Sequence, residues 1–111
     1  ANSEVRLAAM RLRNVSRDMV RNNPFASRAI QVIDQNVVGA GIVPSVKSRS
    51  KARAERVRDL IRAHLETTDC DVTGRHDLYG LQALVMRTIV ESGEALVRRR
   101  YSADRKLPLP F

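Results

Sequence analysis

The sequence predicts a mainly α fold with a small β component, built from about four helices and one or two short strands. Three observations carry this. Apolar residues recur at three- and four-residue steps in four separate stretches. Residues that cap or stop helices bracket those stretches. Two-residue alternation, the mark of a half-buried strand, is weak and confined to short runs. No internal repeat or low-complexity segment interrupts the pattern.

The first helix is expected over residues 3–22. Val5, Ala8, Leu12, Val15 and Met19 form one apolar stripe, with Arg6, Arg13, Arg17 and Arg21 lying off it. Ser3 is its candidate N-cap. Asn22-Asn23-Pro24 ends it, because a residue before proline avoids the α region. Pro24 opens a second helix to about residue 38, with Asn23 as cap and Phe25, Ala29, Val32, Ile33 and Val37 as apolar face. Gly39 and Gly41 stop it, Gly39 in the left-handed conformation that helix ends favour.

Ile42 to Val46 reads as a short extended stretch, and Pro44 makes it an edge strand or a crossing segment. Ser50 caps a third helix over about residues 51–68, with Val57, Leu60, Ile61, His64 and Leu65 as its stripe. A turn-rich connector follows from Asp69 to His76. Asp77 caps the fourth helix, about residues 78–92, the most apolar of the four. Leu78, Leu81, Leu84, Val85, Met86, Ile89 and Val90 surround more than one of its faces, so it is expected to be central. Gly93 ends it. A strand is expected from Glu94 to about Arg100 or Tyr101. The fourth helix can be covered by the second and third, which leaves the stripe of the first, within residues 1–23, as a separately docking arm.

The chain has 111 residues, 43% of them apolar and 4% aromatic. A folded chain of this mass exposes roughly 6,000 Å², against about 18,000 Å² unfolded. That suffices for a modest aliphatic core, and composition excludes intrinsic disorder. Ala1 in place of Met, and an end at Leu107-Pro108-Leu109-Pro110-Phe111, read as the cut ends of a longer chain. No apolar run approaches a membrane span and no signal peptide is visible. The net charge of +8 admits two explanations. One is a polyanionic partner. The other is a slice of a larger protein whose balancing acids lie elsewhere.

No constellation for catalysis, cofactor binding or metal binding emerges, and no site residue is assigned. Cys70 is the single cysteine and sits between Asp69 and Asp71, with no cation to lower its pKa. It is expected to be inert. His64 falls on the stripe of the third helix and reads as a satisfied, half-buried histidine. His76 sits in a polar turn. Asp69, Asp71 and Gly74 echo a calcium loop, but Gly80 stands twelfth, where a bidentate glutamate is needed. Turn and cap roles explain the same residues. Gly39-Ala40-Gly41 lacks the strand, later glycine and lysine of a phosphate loop. Glu91-Ser92-Gly93-Glu94 has no partner base or nucleophile, and solvent exposure or an interface accounts for it. Arg98-Arg99-Arg100 would alternate faces on a strand, so the three could not follow one phosphate track. A solvated face or a subunit contact explains the run better.

Two blocks of sequence resemble the lambda family of phage portal proteins. The first runs Arg17-Asp18-Met19-Val20-Arg21-Asn22-Asn23-Pro24-Phe25-Ala26 and on through Asn36-Val37-Val38-Gly39-Ala40-Gly41-Ile42. The second joins Cys70-Asp71, Gly74-Arg75 and Leu78-Tyr79-Gly80-Leu81-Gln82, then Glu91-Ser92-Gly93-Glu94 and Val97-Arg98-Arg99-Arg100. Together they cover most of residues 15–101. One departure is the lack of Trp, which this family often carries in the helix before Cys70.

The resemblance implies a structural subunit of a homo-oligomeric ring of about a dozen copies at one capsid vertex. DNA passes through such a ring during packaging and ejection. Its partners would be the capsid, the packaging terminase and the head–tail joining proteins. It would be a virion component assembled in the bacterial host cytoplasm, with no membrane partner and no cofactor. This chain would lie in the N-terminal part, resembling the outer wing, with the tunnel-lining stem and motor-binding clip beyond residue 111. A small basic helical nucleic-acid-binding module is the alternative that the net charge supports, though no compact helix-turn-helix is evident. An enzyme would need a nucleophile and base that the sequence lacks.

Overall fold

The computed structural model describes residues 2–100. It contains four α-helices: α1 (Asn2–Asn22), α2 (Pro24–Val37), α3 (Lys51–Leu65) and α4 (Leu78–Ser92). A single 3₁₀ turn, Thr68–Cys70, lies between α3 and α4.

Local chemistry sets the helix boundaries. The Asn23 side chain accepts from the Phe25 amide at 2.9 Å and caps α2, with Pro24 in the first turn where no donor is lost. The Ser50 hydroxyl accepts from Arg53 N–H at 3.4 Å at the start of α3. Asp77 Oδ1 accepts from Gly80 N–H at 2.8 Å at the start of α4. Gly39, at φ +56°, closes α2 as expected. Ser3 does not cap α1, because the helix already includes Asn2. Helix α3 stops at Leu65, three residues short of the expected 68. There the Thr67 hydroxyl donates back to Ala63 C=O at 2.7 Å and accepts from Asp69 N–H, which starts the 3₁₀ turn.

The expected strands are absent among the described residues. A strand exists only with a partner. In the segment after Gly41, a side chain holds the Ile42 amide and carbonyl where a ladder would begin. Pro44 removes a further donor two residues on. Residues 94–100 follow Gly93 without strand structure, so Arg98 to Arg100 do not alternate as on a pleat. Tyr101, the expected end of that strand, lies outside the described residues.

The chain forms two compact units. One comprises α1, α2 and Ala83–Leu96; the other is built on Gly41–Gln82. In the first unit the buried apolar side chains are Val20 and Ile30. The inner face of α1 is Ala9, Arg13, Ser16 and Val20, at helical spacing but small or polar. The stripe Val5, Leu12, Val15, Met19 faces water, each residue between 48 and 70% exposed. Helix α2 is likewise rotated from the expected face, with Ile30 buried and Phe25 exposed. In the second unit Ala54 is buried, while Leu60, Ile61, His64 and Leu65 of α3 are half-buried. Helix α4 contributes its first turn to one unit and its remainder to the other. Despite its apolar sequence, none of its residues is fully buried, so it is not the central helix that its composition predicts.

Candidate functional site

The polar contacts that link segments of the chain fall into three local constructions. In the first, the side-chain amide of Gln82 grips Ile42 from both sides. Gln82 Oε1 accepts from Ile42 N–H at 2.6 Å, and Gln82 Nε2 donates to Ile42 C=O at 3.1 Å. The amide thus imitates a neighbouring strand for one residue. Gly41 makes this approach possible. It sits at φ +92°, and a Cβ there would fall 2.5 Å from Tyr79 Cδ1 and 3.1 Å from Gln82 Oε1. Only glycine fits both the conformation and the space.

The second construction is the Asp71 loop. The Asp71 carboxylate accepts from Thr73 N–H at 3.0 Å and Thr73 Oγ1 at 2.6 Å. It also accepts from the amides of Arg75 and His76, both at 3.1 Å. The His76 ring lies close by, with Nδ1 at 3.3 Å. These donors, the Thr73 hydroxyl above all, hold the Asp71 carboxyl well below the usual carboxylate range. Gly74 takes φ +66° to let the loop close around the carboxylate. The residues that echo a calcium site therefore organise a turn. Among the described residues no three His, Cys, Asp or Glu side chains gather where a metal ion could bind. Cys70 packs its Sγ near the carbonyls of Thr67, Leu65 and His76. Burial pushes its thiol pKa up, with the surrounding aspartates adding to the shift, so it is a poor nucleophile.

The third construction ties α1 to the end of α4. Arg13 pairs with Glu94 at 2.6 Å, and Arg17 Nε donates to Ser92 Oγ at 3.2 Å. Glu94 is 71% exposed, so the pair sets orientation more than stability. Ser92-Gly93-Glu94 is thus an internal anchor, engaged by arginines of the first helix. His64 is half-buried as expected, but its Nδ1 is shielded from solvent and lacks a hydrogen-bond partner among the described residues. Asp34 Oδ1 is in the same position, beside a cavity of about 300 Å³ lined by Ser27, Ile30, Gln31, Asp34 and Arg87.

What the chain presents outward is apolar surface. Besides the α1 stripe, Leu7, Met10, Phe25, Val37, Ile42, Val43, Leu96 and Val97 are all exposed. Isolated exposed leucines are ordinary, but here exposed apolar residues outnumber the buried ones among the described residues. No helix among the described residues is long and apolar enough to cross a membrane.

The three constructions also give physical content to the motifs noted in the sequence. Gly41-Ile42 meets Tyr79 and Gln82; Asp71, Gly74 and Arg75 share one loop; Ser92 and Glu94 receive two arginines. The link between Ile42 and Gln82 escaped the sequence, because nothing in either motif names its partner 40 residues away. The Asp71 loop had a usable signal, an aspartate two residues before a threonine and three before a glycine.

The model of the phage portal protein, lambda family, matches residues 1–111, and the chain belongs to that family. No curated protein and no solved structure matches it. The family is one of virion structural proteins, the head–tail connectors.

Proposed function

We propose that this lambda-family portal segment builds the outer wing of a homo-oligomeric ring at one capsid vertex, acting as structure and not as an enzyme. The observation that carries the reading is the α1 stripe, whose large side chains face water while the small and polar face of the helix turns inward. A ring subunit meets two different neighbours through two different surfaces, so apolar area left open in one copy is expected on more than one side. The basic residues are mostly arginine, the cation enriched at protein interfaces.

On this reading DNA passes through the ring during packaging and ejection. The capsid, the packaging terminase and the head–tail joining proteins attach around it, and assembly takes place in the bacterial host cytoplasm. Helix α1 serves as a docking arm that meets a neighbouring subunit through its outward stripe. Electron microscopy of the full-length protein tests the reading. Closed rings support it; dispersed monomers or open filaments contradict it.

The +8 charge favours a second reading, a basic helical module that binds nucleic acid. Duplex-DNA affinity across a salt series separates the two. A micromolar constant with a steep salt slope favours the module.

A further inference from the structure

The second unit contains a groove of about 430 Å³ that none of the three constructions uses. That volume lies within the roughly 300–1,000 Å³ typical of ligand pockets. Its apolar lining is Val43, Pro44, Val46, Ile61, Leu65 and Leu78. Arg58 and Arg62, and likewise Ile61 and Leu65, lie four residues apart on α3, so adjacent rows of one helix supply cations and apolar lining. Along the rim stand Lys47, Arg58 and Arg62 against a single carboxylate, Glu66. None of these three cations is in an ion pair among the described residues.

The opposite wall is the segment after Ile42. Gln82 holds the backbone of Ile42, but the amides and carbonyls of Val43, Ser45, Val46 and Lys47 make no hydrogen bond among the described residues. Pro44 fixes its own φ near −65° and keeps Val43 out of the α region, so this wall cannot coil into a helix. A short backbone edge that ends in Lys47 therefore stands beside an apolar trough, with Arg58 and Arg62 across from it and none of the three cations in an ion pair among the described residues.

We propose that this groove receives an extended segment of a partner protein in which aliphatic residues alternate with acidic ones. Its backbone pairs with the free amides and carbonyls between Val43 and Lys47, as in strand addition to an open edge. The aliphatic side chains on one face of the strand enter the trough, and the long side chains of Lys47, Arg58 and Arg62 reach from the rim to the carboxylates on the other face. A polyanion such as DNA would satisfy the cations but leave the apolar lining and the backbone edge unmatched. The inference goes beyond the ring reading and does not depend on it, since binding is measured whether or not subunits assemble.

The test uses the full-length protein and a capped nine-residue peptide alternating leucine with aspartate, labelled for fluorescence anisotropy. Binding at tens of micromolar or tighter is expected, with a loss of about ten-fold or more in an Arg58→Glu, Arg62→Glu double variant. Both side chains lie on the exposed rim, so circular dichroism of the variant should match the parent. A peptide with serine for leucine should bind at least about ten-fold more weakly. No binding of the leucine–aspartate peptide overturns the proposal. So does equal binding by the serine peptide or by a duplex DNA of matched charge, which would make the surface a general polyanion site. Undiminished binding by the folded double variant overturns it as well.

Discussion

Gln82 and Ile42 are joined by two hydrogen bonds through one side-chain amide, at 2.6 and 3.1 Å, across 40 residues of sequence. Replacing Gln82 with alanine removes both. Water can reach the exposed Ile42 backbone in its place, so a loss of about 1 kcal/mol in unfolding free energy is expected. Gln82→Glu should cost more, because a carboxylate has no donor for the Ile42 carbonyl and repels it. Urea unfolding of the three proteins ranks them; a glutamate variant as stable as the parent would contradict this geometry.

Gly41→Ala attacks the same joint from the other side. The new methyl would fall against Tyr79 in a backbone conformation that side chains rarely adopt, at φ +92°. A loss of about 1–3 kcal/mol is expected. The same substitution at Gly93, where a Cβ meets nothing within 4 Å, carries only the backbone strain of φ +82°. Thermal melts should therefore place Gly41→Ala below Gly93→Ala, and the reverse order would dismiss the close approach.

Much of the helical layout was legible from the sequence, and the reason is local. Asn23, Ser50 and Asp77 each cap the helix that they precede, and Pro24 and Gly39 act where backbone chemistry demands. Which faces are buried was less legible. Periodicity finds the apolar stripe of α1 but not what lies opposite, and here Ala9, Arg13 and Ser16 turn inward while Leu12 and Val15 turn out. The same limit misplaced the inner face of α2. The strands failed because pairing is non-local: Ile42 spends its ladder groups on a glutamine side chain. Ile42, Gln82, Asp71, Ser92 and Glu94 fall within the resemblance blocks, but Arg13 and Thr73 do not, and none of the contacts among these residues was legible from the blocks.

The Asp71 loop makes a pH prediction. Its carboxyl titrates below the ordinary range in the fold, so the stabilisation is present above the unfolded value of about 4 and is lost as pH falls through the lower native value. The side-chain carboxyl carbon of Asp71 should show no protonation step from pH 7 to about 4, and the amides of Thr73, Arg75 and His76 no step that tracks one. A transition centred between pH 4 and 5 would contradict the hydrogen-bond set. Asp71→Asn should shift those same amides at neutral pH.

Cys70 should react slowly with a disulfide reagent at pH 8, since burial and neighbouring aspartates disfavour its thiolate. Denaturant should restore the rate of a free cysteine. A native rate equal to the denatured one would show that the carbonyl-lined niche does not protect the sulfur.

The central claim is that the outward apolar stripe of α1 is an assembly surface of a portal subunit. Native mass spectrometry of the full-length protein, alone and with Leu12→Glu and Val15→Glu together, tests it most directly. Both residues are more than half exposed, so the variant should fold with unchanged circular dichroism. The account predicts closed rings for the parent and loss of rings, to monomers or short oligomers, for the variant. A parent that stays monomeric, or a folded variant that still closes rings as readily, would contradict it.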